Sequence, residues 1–343
     1  MEKYLLITLV KGSLDNAGPK APLDICSFLE RTGNVEVMNF CSKQGLDYPM
    51  FLKMRSVLEQ VRQQGRKVIL QYPFQPFAYH EKQEQYAELL KFLDTEKTWL
   101  WVHDINHLRF NSECYSNELK WLGLFQKFIV HNEAMEHYLK QYITVEDCIR
   151  NEIFDYQCYS RSVRCHDELR KQSLLRVVYA GNLARDKSPF LYSLKRELMK
   201  FRINTYGQRT EAFSNSRVNY CGSFKADVLP DKLCGDIGLI WDGEIDSAKD
   251  TSMQKKYTGY NVPHKFSCYM AAGLPVIAWR EAAIAEVIRK YKVGYLIDNV
   301  YEINDLDLSD YEECRKNAAS LGAKVRSGYF TNRVLNEILC REI

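Results

Sequence analysis

The chain has 343 residues, of which 46% are apolar. That is ample for buried cores, and the length predicts two domains of about 150 residues each. Charged residues make up 27%, and the formal net charge is only +3 at pH 7. This near balance excludes a nucleic-acid binder that relies on overall positive charge, so local basic clusters must form any anion site.

The eleven cysteines are scattered and include no CxxC pair. This spacing argues against a structural zinc site, and the odd count suits a reducing compartment. The opening MEKYLLITLVKGS has an apolar run too short to span a bilayer, so we interpret it as a first strand rather than a signal peptide. We expect a cytoplasmic protein, and peripheral contact with a membrane stays open.

The first half alternates apolar runs with helical patterns, which is typical of repeated β–α units in an α/β fold. Its glycines do not spell the GxGxxG motif of dinucleotide-binding proteins. The predicted strands are 4–10, 35–40, 68–71, 98–102 and 128–131, and the predicted helices are 23–31, 50–64, 81–93 and one that begins after Asn132.

The second half repeats the alternation after a polar segment, 155–172, that we interpret as a linker. Residues 242–259 are acidic and polar and predict a flexible loop. The predicted strands are 174–180, 202–206, 218–222, 237–241, 274–277 and 294–297, and the predicted helices are 189–200, 226–233, 282–290, 310–323 and 330–341.

Two polar segments of the first half directly follow predicted strands, which is where open parallel sheets bind ligands. Asp15 and Asn16 lie in the loop after the first strand, and a solvated turn is an equal alternative. His103 and Asp104 follow the strand at 98–102. A carboxylate beside an imidazole could accept a proton from an acceptor hydroxyl, but Asp104 could equally cap a turn, with His103 in the core.

The loop GNLARDKSPFL follows the first strand of the second half. Gly181 allows close backbone approach, and Arg185 and Lys187 supply positive charge suited to phosphate. An ordinary basic turn explains the same residues, so this loop alone does not identify an anion site.

The stretch from Asn261 to Ile277 predicts a turn, a short helix that starts at Pro263, a stop at Gly273 and a buried strand. Amides at a helix N-terminus, with Lys265 beside them, form a site for phosphate. We therefore predict that this turn is the centre of the functional site.

Acidic residues on either side of this stretch have simpler interpretations than catalysis. Asp242, Glu244 and Asp246 are more typical of a solvated loop than of a metal cluster, and we expect no metal. Glu281 and Glu286 lie near the start of the next predicted helix, where a carboxylate could accept a hydrogen bond from ribose or satisfy the helix dipole.

Six segments in this order resemble the GT-B glycosyltransferases, and among them a bacterial group that includes β-1,6-galactofuranosyltransferases and the glucosyltransferase of streptococcal adhesin glycosylation. They are QYPFQPF, WVHDINHLRF, FIVHNEAM, YAGNLARDKSPF, GLIWDGE and YNVPHKFSCYMAAGLPVI. The resemblance implies two Rossmann-like domains that face each other across a cleft. We expect an acceptor-binding domain at 1–155, a nucleotide-sugar-binding domain at 156–325, and a helix at 326–343 that packs back on the first domain.

The resemblance also implies roles for individual residues. Arg185 and Lys265 fall at the basic phosphate contacts, and Tyr206 falls at an aromatic near the nucleotide. The spacing of Glu281 and Glu286 does not match the ExxxxxxxE pattern of retaining enzymes, which leaves a retaining mechanism in doubt. The expected donor-binding residues are Arg185, Lys265, Tyr206, Tyr260, Asn261, Gly181, Asn182, Asn16 and Ser267.

We therefore expect a metal-independent glycosyltransferase without a cofactor. It moves galactofuranose or another hexose from a UDP-sugar to a glycan or glycoconjugate. Asp104 is the expected base of an inverting reaction, with Asp15 second and His103 as a relay. We further expect a homo-oligomer that does not bind nucleic acid. Two alternatives stay open: a UDP-sugar epimerase on the same fold, and a non-catalytic nucleotide-sugar-binding partner of another transferase.

Overall fold

The computed structural model describes residues 4–11, 18–42, 48–73, 88–110, 117–159 and 174–341. The chain divides into two compact units. The first unit is Met1–Ile153 with Gly328–Ile343, and the second unit is Phe154–Ser327.

Each unit contains one six-stranded sheet in which every strand is parallel to its neighbours. The strands are β1 (Tyr4–Lys11), β2 (Val35–Ser42), β3 (Val68–Tyr72), β4 (Trp99–Val102), β5 (Lys127–Val130), β6 (Asp147–Arg150), β7 (Leu175–Ala180), β8 (Phe201–Tyr206), β9 (Val218–Tyr220), β10 (Ile237–Ile240), β11 (Val276–Trp279) and β12 (Gly294–Ile297).

Helices connect most of the strands, as is usual for parallel pairing, whereas β8 and β9 are joined by a segment without a helix. Within the described residues they are α1 (Lys20–Glu30), α2 (Tyr48–Gln63), α3 (Asn106–Arg109), α4 (Glu118–Leu122), α5 (Glu133–Tyr142), α6 (Pro189–Ser193), α7 (Leu229–Lys232), α8 (Met253–Tyr257), α9 (His264–Ala271), α10 (Ile284–Tyr291), α11 (Tyr311–Ser327) and α12 (Tyr329–Arg341).

The first sheet has the strand order β2-β1-β3-β4-β5-β6. Its central strands are fully buried, as the apolar runs at β3 and β4 predict for a parallel sheet covered on both faces. The sequence did not predict β6, which pairs with β5 at the edge of the sheet. The segment DCIR is half polar and has no strand pattern of its own, so it adopts the strand conformation through its pairing with β5.

Helix α12 belongs to the first unit, although it follows α11 of the second unit directly. Phe330 is fully buried, and Arg333 donates through Nη2 to the carbonyls of Arg150 (2.8 Å) and Asn151 (3.1 Å). Gly328 separates the two helices at φ +78°, and a Cβ there would lie 2.3 Å from the Phe28 ring. Only glycine fits this turn without strain.

The second sheet has the strand order β12-β11-β10-β7-β8-β9. This is the doubly wound arrangement in which the order reverses between the first and fourth strands, here β7 and β10. The loops that follow β7 and β10 therefore diverge and leave a crevice at the carboxyl edge of the sheet. Ligands bind at such a reversal in open α/β folds.

Helices α9 and α11 pack closely in the second unit. A Cβ on Gly322 of α11 would lie 2.0 Å from the Met270 carbonyl oxygen of α9, so glycine permits the approach. Arg326 donates through Nη1 to the Ala271 carbonyl (2.7 Å), one of the last carbonyls of α9. These contacts fix the C-terminal end of α9.

Several predicted boundaries in the second unit are wrong. The helix predicted at 189–200 ends at Ser193 and is followed by a 3₁₀ turn at Arg196–Leu198, because Leu194 is extended and buried. The helix predicted at 226–233 covers only Leu229–Lys232. The predicted loop at 242–259 contains a 3₁₀ turn, Ser247–Lys249, and α8.

Two further predictions fall partly outside the described residues. Residues 81–87 of the helix predicted at 81–93 are not described, nor are residues 160–172 of the predicted linker. In the described part of the linker, Tyr156 is buried and donates its hydroxyl proton to the Ala226 carbonyl (2.7 Å).

Candidate functional site

Lys265 lies at the strand-order reversal of the second sheet. Its Nζ donates to the carbonyl of Trp241 (3.3 Å), directly after β10, and to Oδ1 of Asp242 (3.0 Å). It also lies 4.9 Å from the ring centroid of Tyr179 on β7. The sequence predicted a cation beside a turn, and the fold places that cation between the two diverging strands.

Helix α9 carries Lys265 in its first turn and is anchored by Tyr269. The Tyr269 hydroxyl accepts from the Ala180 amide at the end of β7 (2.8 Å) and donates to the Leu239 carbonyl of β10 (3.1 Å). The ring takes the space beside Gly238, where a Cβ would lie 2.6 Å from it. Tyr269 thereby fixes α9 across both strands of the crevice.

Helix α9 begins one residue later than predicted. Pro263 is the extended N-cap residue, with φ −71° and ψ 136°, and His264 is the first helical residue. Pro263 offers no side-chain cap. A helix leaves its first amides without partners inside the helix, and its macrodipole favours an anion there.

Lys265 stays charged although it is largely buried. Burial alone would lower its pKa, but the Asp242 carboxylate and the Tyr179 side chain raise the pKa above its usual value. Burial raises the pKa of Tyr179, whereas the Lys265 charge opposes that rise. The ammonium and the phenol are therefore both protonated at neutral pH.

Gly181 lies next to Lys265, and Tyr206 is hydrogen-bonded to Gly181. A Cβ on Gly181 would be 3.9 Å from Lys265 Nζ, and the Gly181 amide donates to the Tyr206 carbonyl (2.9 Å). The Tyr206 ring is buried, and its hydroxyl accepts from the Cys234 amide (2.9 Å). Burial raises the Tyr206 pKa, so the phenol stays neutral.

Arg185 has partners of its own. Its guanidinium makes a two-point ion pair with Glu211, at 2.9 and 2.8 Å, and lies 4.4 Å from the Tyr192 ring centroid. Asn182 closes the same loop by accepting through Oδ1 from the Ala184 amide (2.9 Å). The fold thus places Gly181 beside Lys265, and it pairs Arg185 with Glu211 at the exposed side of the loop.

Three further predicted donor-binding residues lie in α9 or just before it. Ser267 is fully buried, and its hydroxyl has no hydrogen-bond partner among the described residues. Asn261 lines a cavity beside the start of the helix. Tyr260 is half-buried, and its amide donates to the Tyr257 carbonyl (2.9 Å).

In the first unit, His103 and Asp104 directly follow β4. His103 is buried, its amide donates to the Tyr72 carbonyl (2.7 Å), and its Nε2 lies 2.7 Å from Gln71 Oε1. Asp104 Oδ2 accepts from Nη1 of Arg109 (2.6 Å) and stays partly exposed. Asp15 and Asn16 lie outside the described residues.

His131, which was not predicted as a site residue, directly follows β5, the neighbour of β4. Burial lowers the pKa of His131 to about 4, and the nearby Asp104 charge only partly opposes this. The signal was present, since FIVH ends like WLWVH, with a histidine after a buried strand. Both histidines therefore lie at the carboxyl edge of adjacent parallel strands.

Glu118 was not predicted as a site residue either. Its carboxylate holds the loop after Asp104. Its carboxylate accepts from the amides of Asn106 (2.8 Å) and His107 (2.7 Å) at the start of α3, and from the Tyr72 hydroxyl (2.5 Å). Glu118 itself is 1% exposed. No local pattern identifies this role, because the carboxylate belongs to α4 and caps a different helix.

The acidic residues near the site have structural partners. Asp242 pairs with Lys265, and Asp246 accepts from the Ala248 amide (3.1 Å). Within the described ranges, no group of three His, Cys, Asp or Glu side chains could hold a metal ion. Glu281 and Glu286 are exposed.

Comparisons with known proteins identify relatives along most of the chain. Two family models match: the glucosyltransferase 3-like N-terminal domain over residues 3–153, and the glucosyltransferase 3-like C-terminal domain over residues 177–338. The β-1,6-galactofuranosyltransferase WbbI of Escherichia coli K12 is 32% identical over 246 residues, which cover 69% of this chain and 70% of WbbI. Glucosyltransferase 3 of Streptococcus gordonii is 25% identical over 280 residues, 79% of this chain and 78% of the relative.

A solved structure has the same architecture. Anabaena Alr3699/HepE, determined in complex with UDP and glucose, superposes with a TM-score of 0.60 over 99% of this chain and 100% of HepE. The sequence identity is 14%. At that identity the likeness is evidence for the fold alone.

No helix of the described residues is both long and apolar enough to cross a bilayer.

Proposed function

This chain belongs to the glucosyltransferase 3-like family of glycosyltransferases, with the predicted GT-B fold, and from that premise we propose a metal-independent transfer of a hexose from a UDP-sugar to a glycan or glycoconjugate. The position of Lys265 carries the proposal. This cation lies between β7 and β10, at the N-terminus of α9, where open α/β sheets bind ligands.

The reaction breaks a glycosyl–phosphate bond and leaves negative charge on the diphosphate. The Lys265 ammonium and the first amides of α9 would stabilise that charge as it develops, which lowers the barrier. Asp242 is the counter-charge of Lys265 in this structure. The diphosphate would therefore either share the Lys265 ammonium with this carboxylate or displace the carboxylate from it. Arg185 is our second phosphate contact, and it must first release Glu211.

The identity of the sugar rests on the relatives. WbbI is named as a galactofuranosyltransferase, and the streptococcal relative as a glucosyltransferase. HepE was solved with UDP and glucose. UDP is therefore the nucleotide that we propose, and the hexose is galactofuranose or glucose.

A lysine substitution tests the phosphate site. Changing Lys265 to Met should weaken UDP binding about 10- to 100-fold, because a buried charge-assisted contact is lost. Release of UDP from UDP-sugar with acceptor should fall about 100-fold or more. Isothermal titration calorimetry measures UDP binding, and a UDP-release assay measures turnover. The release assay is repeated with EDTA, which should leave the wild-type rate unchanged.

Lys249→Met is the matched control, since this lysine is exposed and pairs with Asp246 at 3.3 Å. It should keep wild-type binding and turnover. Full activity in the Lys265 variant would contradict the phosphate site. Inhibition of the wild type by EDTA would contradict the metal-independent reaction.

The same assays separate the two alternatives. An epimerase would convert a UDP-sugar without acceptor, and a non-catalytic partner would bind UDP without turnover. Family membership favours transfer over both. Product analysis of one UDP-sugar, with and without a glycan acceptor, distinguishes the three.

We further propose that Asp104 takes the acceptor proton in an inverting reaction, with Asp15 as the second candidate and His103 as a relay. Asp104→Asn should lower transfer about 100-fold, the smallest usual contribution of a general base. UDP affinity should be unchanged, because the Lys265 site belongs to the other unit.

Asp94→Asn serves as the control, since its carboxylate pairs with the exposed Lys97 at 3.1 Å. NMR of the product reports the anomeric configuration. Wild-type transfer by Asp104→Asn excludes this residue as the base, and retained configuration excludes inversion.

A further inference from the structure

Ser188 occupies the N-cap position of α6, but its hydroxyl does not cap that helix. The residue directly precedes α6, with Pro189 at the first helical position. Serine is a preferred N-cap residue because its oxygen usually accepts from an amide of the first turn. Here the side chain makes no such bond to α6, and the residue is fully buried. The hydroxyl therefore has a different task in the fold.

The Ser188 hydroxyl joins two other groups. It donates to the Asn182 carbonyl (2.7 Å), and it lies 2.7 Å from the hydroxyl of Tyr179 on β7. A carbonyl oxygen can only accept, so the single Ser188 proton points to Asn182. The lone pairs of the Ser188 oxygen are then left for Tyr179. The Tyr179 hydroxyl therefore donates to Ser188.

The Tyr179 oxygen keeps its own lone pairs for Lys265, whose ammonium can only donate. A Cβ on Gly181 would lie 3.8 Å from the Tyr179 oxygen and 3.9 Å from Lys265 Nζ, so the two groups lie close together. Burial opposes the Lys265 charge, but Asp242 and a hydrogen bond to Tyr179 raise the Lys265 pKa above its usual value. A one-way chain of hydrogen bonds thus runs from the ammonium through the two hydroxyls to the Asn182 carbonyl.

Packing holds the Tyr179 ring independently of its hydroxyl. The residue is 1% exposed, and its ring meets Phe190 edge to face with the centroids 5.1 Å apart. A phenol that donates to a neighbour is also a better acceptor, because hydrogen bonds in a chain polarise one another. Removing the Ser188 hydroxyl would therefore leave the ring in place, take away the acceptor of the Tyr179 proton and weaken the contact with Lys265.

Lys265 depends on this neutral acceptor when a diphosphate binds. In the structure its Nζ also donates to the Trp241 carbonyl (3.3 Å) and to the Asp242 carboxylate (3.0 Å). A diphosphate that displaces Asp242 takes over that one contact. The Trp241 carbonyl and the Tyr179 oxygen then keep the ammonium between β7 and β10. The orientation of the Tyr179 hydroxyl therefore contributes to the affinity of the site for phosphate.

We propose that Ser188 is a positioning residue of the phosphate site: it orients the Tyr179 hydroxyl, which in turn holds the Lys265 ammonium for the diphosphate. The proposal rests on the proposed function, because it takes Lys265 as the diphosphate contact. Ser188 itself does not contact the diphosphate. It acts on phosphate affinity through Tyr179 and Lys265, and this order of action can be tested.

Isothermal titration calorimetry of the full-length protein with UDP tests the chain. Ser188→Ala should weaken UDP binding about 3- to 10-fold, the usual effect of one lost hydrogen bond. Tyr179→Phe keeps the packed ring and should weaken UDP binding by a similar factor. The double variant Ser188→Ala/Tyr179→Phe should bind UDP within about twofold of the weaker single variant, because both changes break the same chain.

The Lys265→Met background separates positioning from general damage to the fold. Since Ser188 acts through the ammonium, adding Ser188→Ala to Lys265→Met should change the dissociation constant of UDP by less than about twofold. A residue needed only for the fold would weaken UDP binding in both backgrounds. If Ser188→Ala does not fold, Ser188→Cys keeps nearly the same volume with a weak hydrogen-bonding group and should show the same losses.

Ser193→Ala is the matched control, because this serine is exposed and donates to the Pro189 carbonyl (3.1 Å) at the start of α6. It should bind UDP as the wild type does.

Two outcomes overturn the inference alone. They are wild-type UDP affinity in folded Ser188 variants, and additive losses in either double variant. In both cases Lys265→Met by itself still weakens UDP binding, so the proposed function stands. Wild-type UDP affinity in Lys265→Met, or a wild type that does not bind UDP, refutes the proposed function and this inference with it.

Discussion

Two lysines of the second unit differ in charge stability because their partners differ. Lys265 contacts the Asp242 carboxylate, and its pKa is raised despite burial. Lys255 contacts a hydroxyl and two aromatic rings, and burial lowers its pKa to about 8. The sequence shows two lysines ten residues apart, but only the packing decides which one is paired with a carboxylate.

At the same scale, His131 predicts how stability depends on pH. Its folded pKa, about 4, is lower than the ordinary value of 6.5. As the pH falls below about 6.5, His131 binds a proton in the unfolded chain but stays neutral in the folded protein. The stability from this residue is complete above pH 6.5 and is lost between pH 6.5 and 4, by about 3 kcal/mol in total.

Urea unfolding of the first unit at pH 7 and pH 5 measures this effect. His131→Gln should reduce the loss of unfolding free energy between the two pH values by about 2 kcal/mol. His137→Gln is the control, since His137 is exposed on α5 and should leave the loss unchanged. Equal acid sensitivity in wild type and His131→Gln would show that the imidazole is not buried in its neutral form.

At the scale of elements, tertiary partners decide where helices end. The helical pattern over 189–200 is interrupted at Leu194, whose carbonyl accepts from Asn215 Nδ2 (2.9 Å). The next amide, that of Lys195, donates to the Tyr301 hydroxyl (2.8 Å). These partners lie 21 and 106 residues away in the chain. Local periodicity contains no information about them, and the predicted boundary was therefore wrong.

Helix α12 provides an element-scale prediction. Phe330 is fully buried in the first unit, whereas its neighbour Tyr329 is 47% exposed. Phe330→Ala should destabilise the first unit by about 3–5 kcal/mol, because it removes a large buried ring and leaves a cavity. Tyr329→Ala should cost under about 1 kcal/mol.

Calorimetry with and without UDP assigns the effect to a unit. A ligand raises the stability of the unit that binds it, by about 2.7 kcal/mol at 100 times the dissociation constant. We expect Phe330→Ala to lower the transition that UDP does not shift. A fall in the UDP-sensitive transition instead would contradict the assignment of α12 to the first unit.

At the scale of the whole molecule, the two sheets share a plan but differ in strand order. The first runs β2-β1-β3-β4-β5-β6, and the second runs β12-β11-β10-β7-β8-β9. The alternation of strands and helices predicted parallel sheets and two units of similar size. It could not predict the order, because strand neighbours are chosen by packing between distant segments. The reversal between β7 and β10 therefore became visible only in the fold.

The sequence by itself determined the α/β class, the family and the enzyme type, since apolar runs, helical periods and six ordered segments are local properties of the chain. It also predicted the turn at Lys265 as the centre of the site, a prediction that the Lys265→Met assay tests. Only the tertiary structure decided that Lys265 is paired with Asp242, that Arg185 is engaged by Glu211, and that Lys255 is buried beside a cavity. Charge partners and burial depend on segments that meet only after folding, which is why residue patterns alone did not contain them.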